Sequence, residues 1–206
     1  MEKTLKILSY LFHPIVIPLF TVLLYFYFTS DFFNSTEILI ISIQVGIITI
    51  LLPITIYLLL HSLKLISSTV MLNNPRERLL PFFVNIILLI SLKDYILMEN
   101  SAYELKLYFW GLICTYTLLL LFLFVKQKCS THMALFSSMI TFTVYLLVQY
   151  QIQGHILLIA MVMLLGGIGS ARLYLKAHTS LEVILGTIIG ILPQFFFIYN
   201  AKIFTL

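Results

Sequence analysis

Seven stretches of about twenty predominantly apolar residues dominate the chain, at approximately 7–28, 38–60, 80–98, 107–126, 133–150, 155–174 and 181–200. A helix needs about that many residues to cross a hydrocarbon layer of roughly 30 Å. The pattern therefore predicts an all-α integral membrane protein, a polytopic bundle of six to seven transmembrane helices forming one domain over residues 1–206. Composition points the same way, with 61% hydrophobic and 10% charged residues, against about half and a quarter in soluble domains. Segment 80–98 decides between six and seven, because Lys93 and Asp94 interrupt it near one end. As an interfacial pair that snorkels to the headgroups they leave it a span; otherwise the segment is re-entrant. The basic start MEKTLK resembles a signal peptide, but its apolar part is too long and no A-x-A site follows, so it reads as an uncleaved first span.

The remaining composition excludes several classes. Cys114 lies inside an apolar run and Cys129 at a loop edge, giving neither a disulfide framework nor a metal pattern. Cys129, His132 and His178 lack a fourth zinc ligand, so neither metal nor cofactor is expected. The net charge of +4 is spread over span ends, which favours membrane lipids as partners over nucleic acid.

Seven spans put the loops after spans two, four and six on the side of the amino terminus, and those loops hold the unusual residues. They read "NNPRERLLP" with Arg76, Arg78 and Pro81, "KQKCSTHMA" with Ser130, Thr131 and His132, and "SARLYLKAHTSLE" with Arg172, His178 and Glu182. Two histidines, two or three arginines, a serine and a carboxylate facing one another at a membrane surface meet the needs of phosphoryl transfer without a metal. Arginine forks and backbone N–H groups neutralise phosphate oxygens. One imidazole attacks phosphorus and a second protonates the leaving alkoxide. A carboxylate on the far nitrogen of the nucleophile fixes its tautomer. Glu182 follows His178 by four residues, one helix face. Arg172 precedes His178 by six, about 240° around a continuous helix, so the two meet only across a chain break.

"SARLYLKAHTSLE" resembles the third signature of the phosphatidic acid phosphatase type 2 family of integral-membrane lipid phosphatases. Here Ala171 separates Ser170 from Arg172, and Glu182 stands where Asp is usual. "CSTH" at 129–132 is similar to the second signature, Pro-Ser-Gly-His, with Cys129 for Pro and Thr131 for Gly. "RERLLP" resembles the first more loosely, with Met71 in the place of its lysine and Pro81 three beyond Arg78. The resemblance covers roughly residues 64–190 and implies a phosphatase-like core there. It implies His178 as the nucleophile that forms a phosphohistidine, Glu182 as its orienting carboxylate, and His132 as the acid and then base. Arg172, Arg78, Ser130 and the Thr131 N–H would hold phosphate, with Arg76 or Lys64 replacing the missing lysine. The implied reaction is metal-free hydrolysis of a lipid phosphomonoester or diphosphate. Phosphatidate, phosphatidylglycerol phosphate, a polyprenyl diphosphate and a lipid A phosphate all qualify. The alternatives are an inactive member of the fold that binds or moves an anionic lipid, favoured by the altered signatures, and a small unrelated transporter.

Structural roles compete for the same residues. "TSLE" at 179–182 fits a capping box in which Glu182 reaches back to the Thr179 N–H, a role that cannot be complete together with the orienting role. Ser130 fits the N-cap of span five, and Asn85 and Gln149 fit interhelical hydrogen bonding. His13, His61 and His155 receive no role. Nine Lys and Arg fall on the motif side against three on the other, and five remain after Arg76, Arg78, Lys128 and Arg172 are set aside. The positive-inside rule then makes the motif side cytoplasmic, whereas bacterial members of the resembled family act at the outer face of the inner membrane.

Overall fold

The computed structural model describes residues 2–65, 76–96 and 102–204. All regular structure among them is helical: α1 Glu2–Leu11, α2 Ile17–Thr29, α3 Ser35–Ser62, α4 Leu79–Ser91, α5 Tyr103–Phe124, α6 Thr131–Gln149, α7 His155–Tyr174 and α8 Ser180–Phe204. Five of these, α3 and α5 to α8, are long and apolar enough to cross a membrane. Large apolar side chains such as Ile156, Met163 and Phe195 point outward, where a water-soluble bundle would carry charge. The chain is an all-helical membrane protein.

Two of the seven expected spans are altered. Segment 7–28 is not one helix, because α1 ends at Leu11 and α2 begins at Ile17. Proline disfavours helix in the residue before it and lacks an N–H itself, so "FHPIV" turns instead, with the Val16 N–H donating to the His13 carbonyl at 3.0 Å. Pro18 sits in the first turn of α2, where no donor is needed. Segment 80–98 is the 13-residue α4 extended by a π-helical stretch, Leu92–Ile96, and its last residues lie outside those described. Lys93 pairs with Asp94 and sits 4.3 Å over the Trp110 ring, a cation–π contact suited to an interface.

The core is built around α8, which packs on α6 and α5, with α2 against α6 and α4 against α5. Tyr108, Phe109, Phe136 and Phe142 fill it. α6 and α8 approach each other closely. Gly186 and Gly190 lie one turn apart on α8, and a Cβ at Gly190 would overlap the Ala134 carbonyl oxygen and Ser137 Oγ. Small residues let the two backbones meet, and hydroxyls then join them. Ser137 Oγ donates to the Thr187 carbonyl and Ser138 Oγ to that of Gly190, each at 3.0 Å. Interhelical hydrogen bonding also falls to Gln194, whose Nε2 donates to the Tyr108 carbonyl at 2.9 Å. Gln149, expected in that role, is exposed, and Asn85 lines a cavity instead. At the far end of α6, the Glu104 carboxylate accepts from the hydroxyls of Tyr25 at 3.2 Å and Tyr150 at 2.9 Å, tying α2, α5 and α6 together.

α3 stands at the periphery, with Val45, Thr49 and Leu60 its buried residues. It carries a π-helical segment, Ile47–Leu51, just before Pro53, the arrangement that absorbs a proline within a long helix. From Pro53 onward it lines a cavity.

Candidate active site

Three chain breaks build one cavity. At the first, Pro14 turns the chain so that His13 faces inward. At the second, α6 begins after Ser130, which holds the N-cap position but forms no side-chain cap bond. Its Oγ is buried without a hydrogen-bond partner, so the expected capping role is not filled and the hydroxyl stays available beside the N–H groups of the first turn. At the third, α7 stops through a Schellman closure. Lys176 takes φ 51°, its N–H donates to the Leu173 carbonyl, and the Ala177 and His178 N–H groups both donate to the Arg172 carbonyl. That closure supplies the break needed to bring Arg172 and His178 together.

The resulting cavity has a volume of about 280 Å³, and its polar lining includes His13, Arg78, Asn85, Thr131, His132, Arg172 and His178. One flank is apolar, from Pro53, Ile54 and Leu58 of α3 and Pro81, Phe82 and Val84 of α4. Arg78, His132, Arg172 and His178 are all buried, none more than 7% exposed. Five predicted residues from three loops thus share one space. Of the others, Glu182 reaches it through His178, and Ser130 is buried at the start of α6. The side chain of Arg76 and all of Met71 lie outside the described residues. Lys64, the other candidate replacement for the missing lysine, is exposed at the end of α3 and does not line the cavity.

His178 Nδ1 lies 2.7 Å from Glu182 Oε2. A carboxylate accepts and does not donate, so Nδ1 carries the proton and Nε2 keeps a lone pair for the cavity. The same Oε2 accepts the Thr179 N–H at 3.3 Å, and the Glu182 N–H donates to Thr179 Oγ1 at 3.3 Å. The capping box and the histidine contact therefore coexist. They were expected to compete, yet one oxygen has lone pairs for both donors, and the first turn of α8 holds both at once. The Ser130 N–H donates to the Glu182 carbonyl at 3.0 Å, which locks the start of α6 to the start of α8. The backbone contact depends on Gly186, since a Cβ there would come within 2.5 Å of the Ser130 carbonyl oxygen.

Two guanidiniums in one buried cavity repel each other. Burial first, and then the like charge of Arg172, lower the pKa of Arg78, against an opposing pull from Glu182. Both remain cationic, since arginine does not deprotonate in proteins. Arg172 Nε is buried without a hydrogen-bond partner. An unpaired buried charged donor is costly, and an anion in the cavity would satisfy it. Burial, reinforced by Arg78 and Arg172, lowers the pKa of His178 despite the opposing carboxylate, so its imidazole is neutral and nucleophilic at neutral pH.

No family model matches the chain, and neither do any curated protein or solved structure. Among the described residues, no three His, Cys, Asp or Glu cluster as a bound metal ion would require.

Sequence reasoning missed the amino-terminal contribution. His132 Nε2 lies 3.2 Å from the Ser9 carbonyl of α1, and the His13 ring meets the His132 ring edge-on with centroids 5.5 Å apart. The available signal was "HPIVIP", two prolines that break a nominal span beside a histidine. Burial first, then the charge of Arg172, lowers the His13 pKa from 6.5 to about 4. The unfolded chain takes up that proton near pH 6.5 and the folded one near pH 4. The unfolded state therefore binds more protons in between, and stability is full above pH 6.5 and declines as pH falls toward 4. Melting in detergent at pH 7.5 and pH 5 is expected to show a larger drop for the parent than for His13→Gln, which lacks this one of the groups that titrate in that window.

Proposed function

We propose that this protein is a membrane lipid phosphate phosphatase that hydrolyses a phosphomonoester or diphosphate through a phosphohistidine intermediate. In support, two buried guanidiniums, one with an unsatisfied Nε, share a cavity with an imidazole whose far nitrogen is held by a carboxylate. Arg78, Arg172, Ser130 Oγ and the first N–H groups of α6 bind the phosphate oxygens. The apolar flank of α3 and α4 accommodates the lipid next to its headgroup, and the lipid arrives from the membrane itself. The seven-crossing topology belongs to the same proposal, with α2 and α4 as the two short crossings and α1 at the cavity end, in a bacterial inner membrane.

In the first step the His178 Nε2 lone pair attacks phosphorus while the bond to the lipid oxygen breaks. With the negative charge of the bound phosphate beside it, His132 is protonated on both nitrogens; its Nε2–H stays on the Ser9 carbonyl and its Nδ1 gives its proton to that oxygen. The Glu182 carboxylate stabilises the positive charge that forms on His178. In the second step water attacks the phosphohistidine, its proton passes to His132 Nδ1, and the N–P bond breaks to release phosphate and restore both imidazoles. Glu182 carries one methylene more than the aspartate of the resembled signature, and its double acceptance from His178 and Thr179 offsets the added freedom.

The deciding experiment measures phosphate release from a panel of lipid phosphates by detergent-purified protein in the presence of EDTA. Release from at least one lipid is expected. A folded protein that binds phospholipid but releases nothing from any member of the panel is instead a binding relative.

A further inference from the structure

The third histidine of the cavity is used by none of the steps above. His13 lies in the turn between α1 and α2, outside the three loops that supply the other polar groups. Its Nδ1 is 3.3 Å from the Ile15 N–H, which donates to it. That lone pair fixes the neutral tautomer with the proton on Nε2. Nε2 sits on the opposite edge of a ring that lines the cavity with Arg78, Arg172 and His178. The ring is held in place by its edge-on contact with His132, and His132 is in turn tied to α1 through Ser9. The break at Pro14 therefore delivers a fixed N–H donor to a space that already contains two cations and, among the described residues, no carboxylate on its wall.

We propose that His13 is a substrate-binding residue, donating its Nε2–H to an oxygen of the phosphate held by Arg78 and Arg172. The inference rests on the phosphate site proposed above. Burial and the charge of Arg172 keep the imidazole neutral, so His13 adds a directed hydrogen bond without adding a third positive charge. Its tie to the ring of His132 makes the amino-terminal segment part of the site.

Inorganic phosphate, titrated into detergent-purified full-length protein, is the probe. Affinity is expected to fall about tenfold in His13→Leu, which fills similar space without a donor. His13→Gln, which restores an N–H at the end of the side chain, is expected to recover most of it. With a lipid phosphate the Leu variant is expected to raise KM more than it lowers kcat. As a check that needs no substitution, 15N-labelled histidine should show the Nε2–H resonance of His13 moving on addition of phosphate. Equal phosphate affinity in parent and His13→Leu, or an Nε2–H resonance unmoved in a parent that binds phosphate, overturns the role of His13 and leaves the phosphate site standing. A parent that binds no phosphate at all overturns both.

Discussion

Replacing His178 with alanine is expected to lower phosphate release by about 10⁴-fold or more, because a nucleophile that forms a covalent intermediate has no substitute in the cavity. His178→Asn is the sharper variant. Its amide reaches about as far as Nδ1 and can still donate to Glu182, so the first turn of α8 keeps its hydrogen bond. A site that only binds lipid tolerates that change, whereas a phosphatase loses turnover and keeps substrate affinity. Rapid quench in alkali, where the N–P bond survives, should trap labelled phosphate on the parent and none on either variant. Activity within tenfold of the parent in His178→Asn would exclude histidine nucleophilicity. Glu182→Gln separates orientation from attack, with a smaller expected loss of about 10²- to 10⁴-fold in kcat, since the amide keeps a contact but not the charge that stabilises imidazolium.

Gly190→Ala is expected to destabilise the folded protein by about 3 kcal/mol, since overfilling a packed contact typically costs 1–3 kcal/mol and the atoms it meets are largely backbone. The new Cβ runs into the Ala134 carbonyl group, and forcing the helices apart also stretches the Ser138-to-Gly190 hydrogen bond. Gly186→Ala meets the Ser130 carbonyl and carries a second consequence. It moves the start of α6, with Ser130 and His132, away from the turn that holds His178 and Glu182. Catalysis should therefore fall further than the lost stability accounts for, because misplacement by about 1 Å costs on the order of 10²-fold. Gly166 in α7 is the internal control. A Cβ there meets nothing within 4 Å, so Gly166→Ala should be neutral or stabilising by up to about 1 kcal/mol through helix propensity. Melting temperatures of the three variants in one detergent test the ordering. A Gly190→Ala protein as stable as Gly166→Ala would show that α6 and α8 are not held by this close approach.

The apolar runs determined that the protein is a helical membrane bundle, because satisfying every backbone group in hydrocarbon leaves a chain of this hydropathy no other solution. The polar residues left over at the loops were equally legible, as were the four-residue spacing of His178 and Glu182 and the necessity of a break after Arg172. Each depends only on neighbours within about two helical turns. The failures were of longer range. Segment 7–28 looked like one span because hydropathy sums over a window and is blind to a backbone break within it. Ser130 looked like a cap because its position is right, yet its hydroxyl remains without a partner. The close pairing of Gly186 with Ser130, the apolar wall supplied by α3, and the contact between Ser9 and His132, 123 residues apart, have no local signature. They exist because helices that already satisfy their own backbones are sorted by shape. Only the packed bundle decides which small residues let two backbones touch, and so which histidines face the same cavity.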